Sequence, residues 1–152
     1  MRVECIGSAV EGEIEIDASP QSVFEAFTDP LQLASWWGSE DTYSTSNWQV
    51  DLRPGGAWSC DASSAAGGPK SLVHGVYTEV DPPRVLAFTW NPSWDSATGT
   101  VVRIIFEATG SGTRVRLFHT GFEGFAESQK GHSQGWSRVL GWLREKFQLQ
   151  GA

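Results

Sequence analysis

Apolar and polar residues alternate along most of the chain, and this pattern predicts strands. In the first strand Val10, Ile14 and Ile16 alternate with three glutamates, which is typical of a strand with one buried face. The same kind of segment recurs six more times between turns rich in Gly, Pro, Ser and Asp. These further strands are predicted over 48–52, 57–61, 71–80, 85–91, 100–109 and 113–120.

Two short helices are predicted directly after the first strand. Ser19-Pro20 and Asp29-Pro30 each place a capping side chain before a proline, which is favoured at the first helical position. Gly38 is placed to end the second helix. The polar segment 38–47 is rich in Ser and Thr, and we interpret it as a mobile loop.

The last predicted element is a long amphipathic helix over 132–148. Trp136, Leu140, Leu143 and Phe147 recur at steps of four, three and four residues, which is the spacing of one apolar stripe on a helix. A stripe that carries Trp and Phe needs a broad apolar surface to lie on. The predicted strands supply such a surface.

The predicted order of elements is β-α-α-β-β-β-β-β-β-α, which indicates an α+β domain. Six consecutive strands joined by short turns form an antiparallel meander. The first strand joins the same sheet because its apolar face would otherwise be exposed. We therefore expect a curved, seven-stranded antiparallel sheet, with the long C-terminal helix across its concave face and the two short helices closing one end. No linker divides the chain, so residues 1–152 are expected to form one domain with an ordered core of about 9–149.

Composition and charge limit the classes of function. The 152 residues carry 11 Lys and Arg against 18 Asp and Glu, and this net charge of −7 argues against nucleic acid or an anionic membrane as the partner. There is neither a bilayer-spanning apolar run nor a signal peptide, so we expect a cytoplasmic protein without membrane insertion. Cys5 and Cys60 lack metal or redox spacing and are interpreted as reduced thiols. Monomer and homodimer both stay open.

Eight tryptophans are the unusual feature of the composition. A long helix that bridges a curved sheet leaves gaps, and such gaps form apolar pockets with a few polar anchors. We predict a ligand cavity there, with Trp37, Trp58 and Trp94 at its mouth or wall. The other predicted lining residues lie on inward strand positions and on the helix stripe: Phe88, Trp90, Ile104, Phe106, Leu117, His119, Trp136, Leu140 and Leu143. The alternative is that all of these residues form a close-packed core.

His119 is the most suggestive polar residue, because it follows Leu117 on an inward face. One hypothesis makes it a polar anchor or a general acid–base under the helix. The alternative is a core histidine bonded to a backbone carbonyl or to a tryptophan. Together with His74 and His132 it does not show metal-ligand spacing, and the chain has no Gly-rich phosphate loop or Gly-x-Ser-x-Gly motif. We therefore predict no metal and no cofactor.

Several short segments, taken in order, resemble one known family. They are Ala18-Ser19-Pro20, Thr28-Asp29-Pro30, Trp36-Trp37-Gly38, Asp51-Leu52-Arg53-Pro54-Gly55-Gly56, Phe88-Thr89-Trp90, His119-Thr120-Gly121-Phe122 and Gly135-Trp136. The set is similar to the C-terminal domain family of the activators of Hsp90 ATPase, within the START and Bet v 1-like superfamily. The resemblance covers about residues 10–148. It implies a helix-grip fold with a cavity that takes apolar or amphipathic small molecules.

Three functional hypotheses follow. The first is binding of an apolar or amphipathic small molecule between the long helix and the sheet. The second, implied by the resemblance, is a co-chaperone-like module that binds a chaperone or another protein. The third is an enzyme of cyclase or hydrolase type that uses His119, which requires a carboxylate or a tyrosine beside that histidine.

Overall fold

The chain forms eight strands and three helices in a computed structural model that describes residues 1–150. All neighbouring strands pair antiparallel, in the order β1-β2-β8-β7-β6-β5-β4-β3. The strands are β1 (Arg2–Ile6), β2 (Ala9–Ile16), β3 (Tyr43–Val50), β4 (Ala57–Ser64), β5 (Ser71–Asp81), β6 (Val85–Pro92), β7 (Thr100–Ala108) and β8 (Thr113–Thr120). The helices are α1 (Pro20–Ala26), α2 (Pro30–Trp36) and α3 (Ala126–Gln150). The predicted α+β class, with a curved antiparallel sheet and a long C-terminal helix, is confirmed. The predicted domain range of 1–152 ends two residues outside the described part.

The sheet has eight strands within the described residues, and the prediction of seven is wrong. The additional strand is β1, which pairs with β2 from Arg2–Glu13 to Ile6–Ala9. Four of its five residues are exposed, so no apolar alternation marks it in the sequence. Backbone hydrogen bonds to β2, rather than burial of side chains, hold this edge strand in place. Gly7 supplies the positive φ, +57°, that the short connection to β2 needs.

The second half of the segment 38–47, predicted as a mobile loop, belongs to strand β3. The pairing of β3 with β4 shifts register between Ser46 and Gln49, where Asn47 has a φ of +53°. Such an irregularity interrupts the alternation of inward and outward side chains. An edge strand that is rich in Ser and Thr and broken in this way resembles a loop in sequence.

Helix α3 begins at Ala126, six residues before its predicted start at His132. Its first turns carry polar residues and therefore lack the apolar stripe that marks the rest of the helix. Gln129 is buried there, and its Nε2 donates to the backbone oxygens of Gly7 and Ala9 at 2.9 Å each. These bonds attach the start of α3 to the β1–β2 connection. No helix within residues 1–150 is both long and apolar enough to cross a membrane.

The two short helices begin where the sequence predicts. Ser19 Oγ accepts a hydrogen bond from the Ser22 amide at the start of α1, and Asp29 Oδ1 accepts one from the Leu31 amide at the start of α2. Phe27, just after α1, then packs edge-on against Phe106 of β7, with ring centroids 5.8 Å apart. This packing fixes α2 and the Trp37 that follows it beside the sheet.

Candidate ligand-binding cavity

A cavity of about 500 Å³ lies between α3 and one side of the sheet. Its volume falls within the range of roughly 300–1,000 Å³ that is usual for small-molecule sites. Helix α3 packs closely against β2, where Leu140 Cδ1 approaches within 3.2 Å of the position that a Cβ on Gly12 would take. The lining strands β3, β4, β5 and β6 lie at the other side of the sheet. The cavity therefore occupies the side of the sheet away from the β1–β2 edge that α3 contacts.

Three parts of the chain line the cavity. The region after α2 and strand β3 supply Trp37, Thr42, Tyr43, Thr45 and Trp48; the middle strands and the loop after β6 supply Cys60, Ala62, Ser64, Ser71, Val73, Trp90, Trp94 and Asp95; helix α3 supplies Glu127, Ser128, Gly131, His132, Gly135, Trp136, Arg138 and Val139. Most of these side chains are aromatic, aliphatic or small. Asp95, Glu127, Ser128 and His132 lie toward the start of α3. The other polar lining residues are on the sheet side or further along the helix: Thr42, Thr45, Ser64, Ser71 and Arg138.

Two glycines on α3 contribute directly to the open volume. Gly131 and Gly135 both line the cavity and lie one helical turn apart on the same face. A Cβ built at either position meets no atom within 4 Å. Gly within a helix is unfavourable by about 1 kcal/mol relative to Ala. The absent side chains therefore leave space that the fold does not fill.

Four tryptophans form most of the apolar wall, and each of their indole N–H groups is bonded to the protein. The acceptors are Tyr43 Oη for Trp37 at 3.2 Å, Thr45 Oγ1 for Trp48 at 3.0 Å, His132 Nε2 for Trp90 at 3.1 Å and His119 Nδ1 for Trp136 at 2.9 Å. An indole has one donor and no acceptor. These four residues therefore offer a ligand their aromatic surfaces rather than free N–H groups.

His119 lies behind the tryptophan wall and is fully buried. Because the indole of Trp136 only donates, His119 Nδ1 accepts, and Nε2–H donates to Thr100 Oγ1 at 2.8 Å. The Thr100 hydroxyl in turn donates to the Trp90 carbonyl at 3.2 Å. Within the described residues no carboxylate or tyrosine hydrogen-bonds to His119. It is a core histidine with a tryptophan partner, and the arrangement does not match that of a general acid–base.

Stability is expected to fall as the pH drops below about 6.5, because His119 is neutral in this network. Burial, with a smaller contribution from the neighbouring His132, lowers the pKa of His119 from 6.5 to about 2. The unfolded chain then binds a proton that the folded chain does not, and the free energy of unfolding falls by about 1.4 kcal/mol per pH unit below 6.5. Urea unfolding at pH 7 and pH 5 measures this as a loss of roughly 2 kcal/mol. In the matched variant His119→Gln, the loss of stability between pH 7 and pH 5 should be smaller by this contribution of roughly 2 kcal/mol. An equal loss of stability in both proteins would contradict a neutral, buried His119.

The polar end of the cavity is built around Asp95. Its Oδ2 accepts from the Ser128 hydroxyl at 2.7 Å and its Oδ1 from the Ala97 amide at 2.8 Å. Burial raises the pKa of this carboxyl, but the hydrogen bonds from Ser128 and Ala97 outweigh that effect and hold the pKa below its usual value. Asp95 is therefore an ionised carboxylate with 14% of its side chain exposed.

His132 stands next to this carboxylate in a fixed tautomer. Its Nε2 accepts from Trp90, so Nδ1 carries the proton and donates to the backbone oxygen of Ser128 at 2.8 Å. Ser128 Oγ lies 3.3 Å from the same Nδ1 and donates to Asp95. A nucleophilic serine needs a histidine nitrogen that accepts its proton. Ser128, His132 and Asp95 are the residue types of a catalytic triad. His132 Nδ1 already carries a proton, however, so it cannot accept one from the Ser128 hydroxyl.

A further potential nucleophile of the lining is the thiol of Cys60. Cys60 lies in the cavity wall, and burial raises its pKa to about 12, so it is a thiol and not a nucleophilic thiolate at neutral pH. No group of three or more His, Cys, Asp or Glu in residues 1–150 is arranged to hold a metal ion.

The structure separates the predicted site residues into three groups. Trp37, Trp90, Trp94 and Trp136 line the cavity. Trp58 and Phe88 line a neighbouring void of about 20 Å³. The others are buried in the core and line neither space: Ile104, Phe106, Leu117, His119, Leu140 and Leu143. The strand residues among them lie on β7 and β8, nearer to the edge of the sheet that α3 contacts.

The sequence does not predict several of the residues that line the cavity. Tyr43 and Thr45 fall in the segment interpreted as a loop, and Asp95 and Ser128 lie outside the predicted elements. One signal is present in the sequence: Ala62 on an inward position of β4 and Gly131 and Gly135 on α3 are small residues, and all three line the cavity. Small residues on two facing elements indicate a gap rather than a packed contact.

Comparison with known proteins places this fold. Residues 17–148 match the family described as "Activator of Hsp90 ATPase homolog 1-like protein". No curated protein sequence matches the chain. Among solved structures, protein CV1439 from Chromobacterium violaceum is 24% identical with a TM-score of 0.81, over 91% of this chain and 96% of that one. The AHSA1 (SPO3351) protein from Silicibacter pomeroyi is 26% identical with a TM-score of 0.78, over 93% and 99%. Protein Ms6760 from Mycobacterium smegmatis is 20% identical with a TM-score of 0.79, over 95% and 96%. The predicted helix-grip fold and family resemblance are confirmed.

Proposed function

Since the chain belongs to the activator of Hsp90 ATPase homolog 1-like family, we propose that it binds a small apolar or amphipathic molecule between α3 and the sheet. The observation that carries this proposal is the cavity of about 500 Å³, in whose wall Trp37, Trp48, Trp90 and Trp136 have their N–H groups occupied by the protein. A cavity of this size lined by aromatic faces gains free energy when an apolar body displaces water from it.

The walls support a moderate affinity. Burying about 300 Å² of apolar ligand surface contributes roughly 7 kcal/mol at 25 cal/mol per Å². Ordering the ligand and losing its free motion offset part of this gain.

Titration with N-phenyl-1-naphthylamine tests the proposal. This neutral probe fluoresces more strongly in apolar surroundings, so its emission is expected to rise and saturate at one probe per chain. The same titration in a denaturing concentration of guanidinium is the control and should give no rise. A linear increase without saturation in the folded protein would contradict binding at a single internal site.

The family description favours a second candidate function, binding to an Hsp90-type chaperone. Its test is the ATPase rate of Hsp90 with and without this protein, together with co-elution of the two in size-exclusion chromatography. An increased rate with co-elution supports this candidate. An unchanged rate without co-elution rejects it and leaves small-molecule binding as the proposal.

A further inference from the structure

The Asp95 end of the cavity offers a ligand a carboxylate with free acceptor capacity. The indole N–H groups of Trp37, Trp48, Trp90 and Trp136 are bonded to the protein, and the Ser128 hydroxyl already donates to Asp95. Each oxygen of Asp95 accepts one hydrogen bond from the protein and keeps capacity for another. In the part of the chain that the structure describes, no Lys or Arg forms an ion pair with Asp95.

Within residues 1–150, no lysine or arginine supplies Asp95 with a permanent counter-charge. The nearest basic group is His132, whose Nδ1 lies 3.9 Å from Oδ2. Both nitrogens of that ring are engaged as in a neutral tautomer, with Nε2 accepting from Trp90. A carboxylate with 14% of its side chain exposed has given up part of its hydration. A positively charged group arriving at this end of the cavity would replace the missing counter-charge.

The aromatic walls favour the same kind of ligand. An ammonium group is attracted to the face of a tryptophan ring, and aromatic cages recognise alkylated ammonium groups. Trp90 is bonded to His132 beside the carboxylate, and Trp94 belongs to the same loop as Asp95. Glu127 adds a second negative charge to the lining, and the chain as a whole carries −7. The field around the protein therefore concentrates cations near this end.

Arg138 is the one charge in the lining that would favour an anion instead. It is exposed, and it lies ten residues beyond Ser128 along α3, which corresponds to about 15 Å. Asp95 is less exposed and lies at the opposite end of the cavity, so its charge is less screened by water.

We propose that the cavity takes an organic cation, an amine or alkylated ammonium on an apolar or aromatic body, with the ammonium at Asp95 and the body against Trp37, Trp90 and Trp136. This inference rests on the proposed function, because it specifies the ligand class of the same cavity.

Three probes with one carbon frame test it: 4-phenylbutylamine, 4-phenyl-1-butanol and 4-phenylbutanoate, measured by isothermal titration calorimetry at neutral pH. The amine is expected to bind about tenfold more tightly than the alcohol, since a partly buried charge pair contributes about that factor. The carboxylate should bind more weakly than the alcohol. In Asp95→Asn the preference for the amine should fall to the small part that Glu127 and the aromatic walls maintain. Asp51→Asn, at an exposed turn remote from the cavity, is the matched control and should keep the preference for the amine.

The outcomes separate the two proposals. An alcohol or a carboxylate that binds as tightly as the amine would overturn the cation assignment, and so would an amine preference that is undiminished in Asp95→Asn. If none of the three probes binds while N-phenyl-1-naphthylamine does, the cation assignment fails and the cavity function stands. If the naphthylamine also fails to bind, both proposals fail. A variant that did not fold would lose all probes, in which case the three affinities of the wild-type protein decide.

Discussion

Replacing His119 with alanine is expected to lower the free energy of unfolding by about 4 kcal/mol. The side chain is fully buried and joins Trp136 of α3 to Thr100 of β7. Alanine leaves the Trp136 N–H without an acceptor, removes the donor to Thr100 and opens a void among packed rings. For a domain of this size the melting temperature should fall by roughly 10 °C. Thermal and urea unfolding, followed by circular dichroism at pH 7, measure both quantities.

His74→Ala is the matched control, because His74 is exposed on β5. A surface substitution of this kind changes stability by no more than about 0.5 kcal/mol. His119→Gln can keep a donor for Thr100 and should fall between wild type and His119→Ala. A loss of less than about 1 kcal/mol in His119→Ala would show that the network does not hold α3 to the sheet.

Gly135→Phe is expected to weaken binding of N-phenyl-1-naphthylamine at least about tenfold while the fold is kept, since displacing a ligand from one well-packed aromatic contact costs more than about 1.4 kcal/mol. The position faces open space inside the cavity, so the ring of the new side chain occupies the volume that the probe needs. Phe is also a better helix former than Gly, by about 0.5 kcal/mol. The loss of affinity should therefore come without a loss of stability, as measured by fluorescence titration and thermal unfolding of the same samples.

Gly141→Phe provides the control on the same helix. A Cβ added at Gly141 would also meet no atom within 4 Å, but Gly141 does not line the cavity. This variant should gain the same helical preference and bind the probe as the wild type does. Equal affinities in the two variants would place the bound probe somewhere other than beneath α3.

The sequence predicted the elements whose side chains face a packed core. Alternation in β7 places Val102, Ile104 and Phe106 inward, and all three are buried. The spacing of Trp136 and Leu140 likewise gave the buried face of α3. The edge strand β1 and the first five residues of β3 were not predicted, because backbone pairing holds an exposed edge without leaving an apolar period in the sequence.

The cavity could be predicted only in part, because its position depends on how α3 lies across the sheet. Leu140 and Trp136 belong to one apolar stripe, yet Leu140 packs against β2 near Gly12 and Trp136 lines the cavity. A hydrophobic period shows which face of a helix is buried, but not where along that face contact gives way to a gap. The polar end of the cavity was not predicted from the sequence for a related reason. Asp95 lies on a loop, and only tertiary folding brings it beside Ser128 and His132.

Intermolecular NOEs establish whether a small molecule occupies the space between α3 and the tryptophan wall. The measurement uses the protein saturated with N-phenyl-1-naphthylamine and assigned indole signals. We expect NOEs from the probe to four tryptophans that line the cavity, Trp37, Trp48, Trp90 and Trp136. NOEs confined to exposed apolar residues such as Leu31 and Leu72 would contradict it, because they would place the probe on the outer surface.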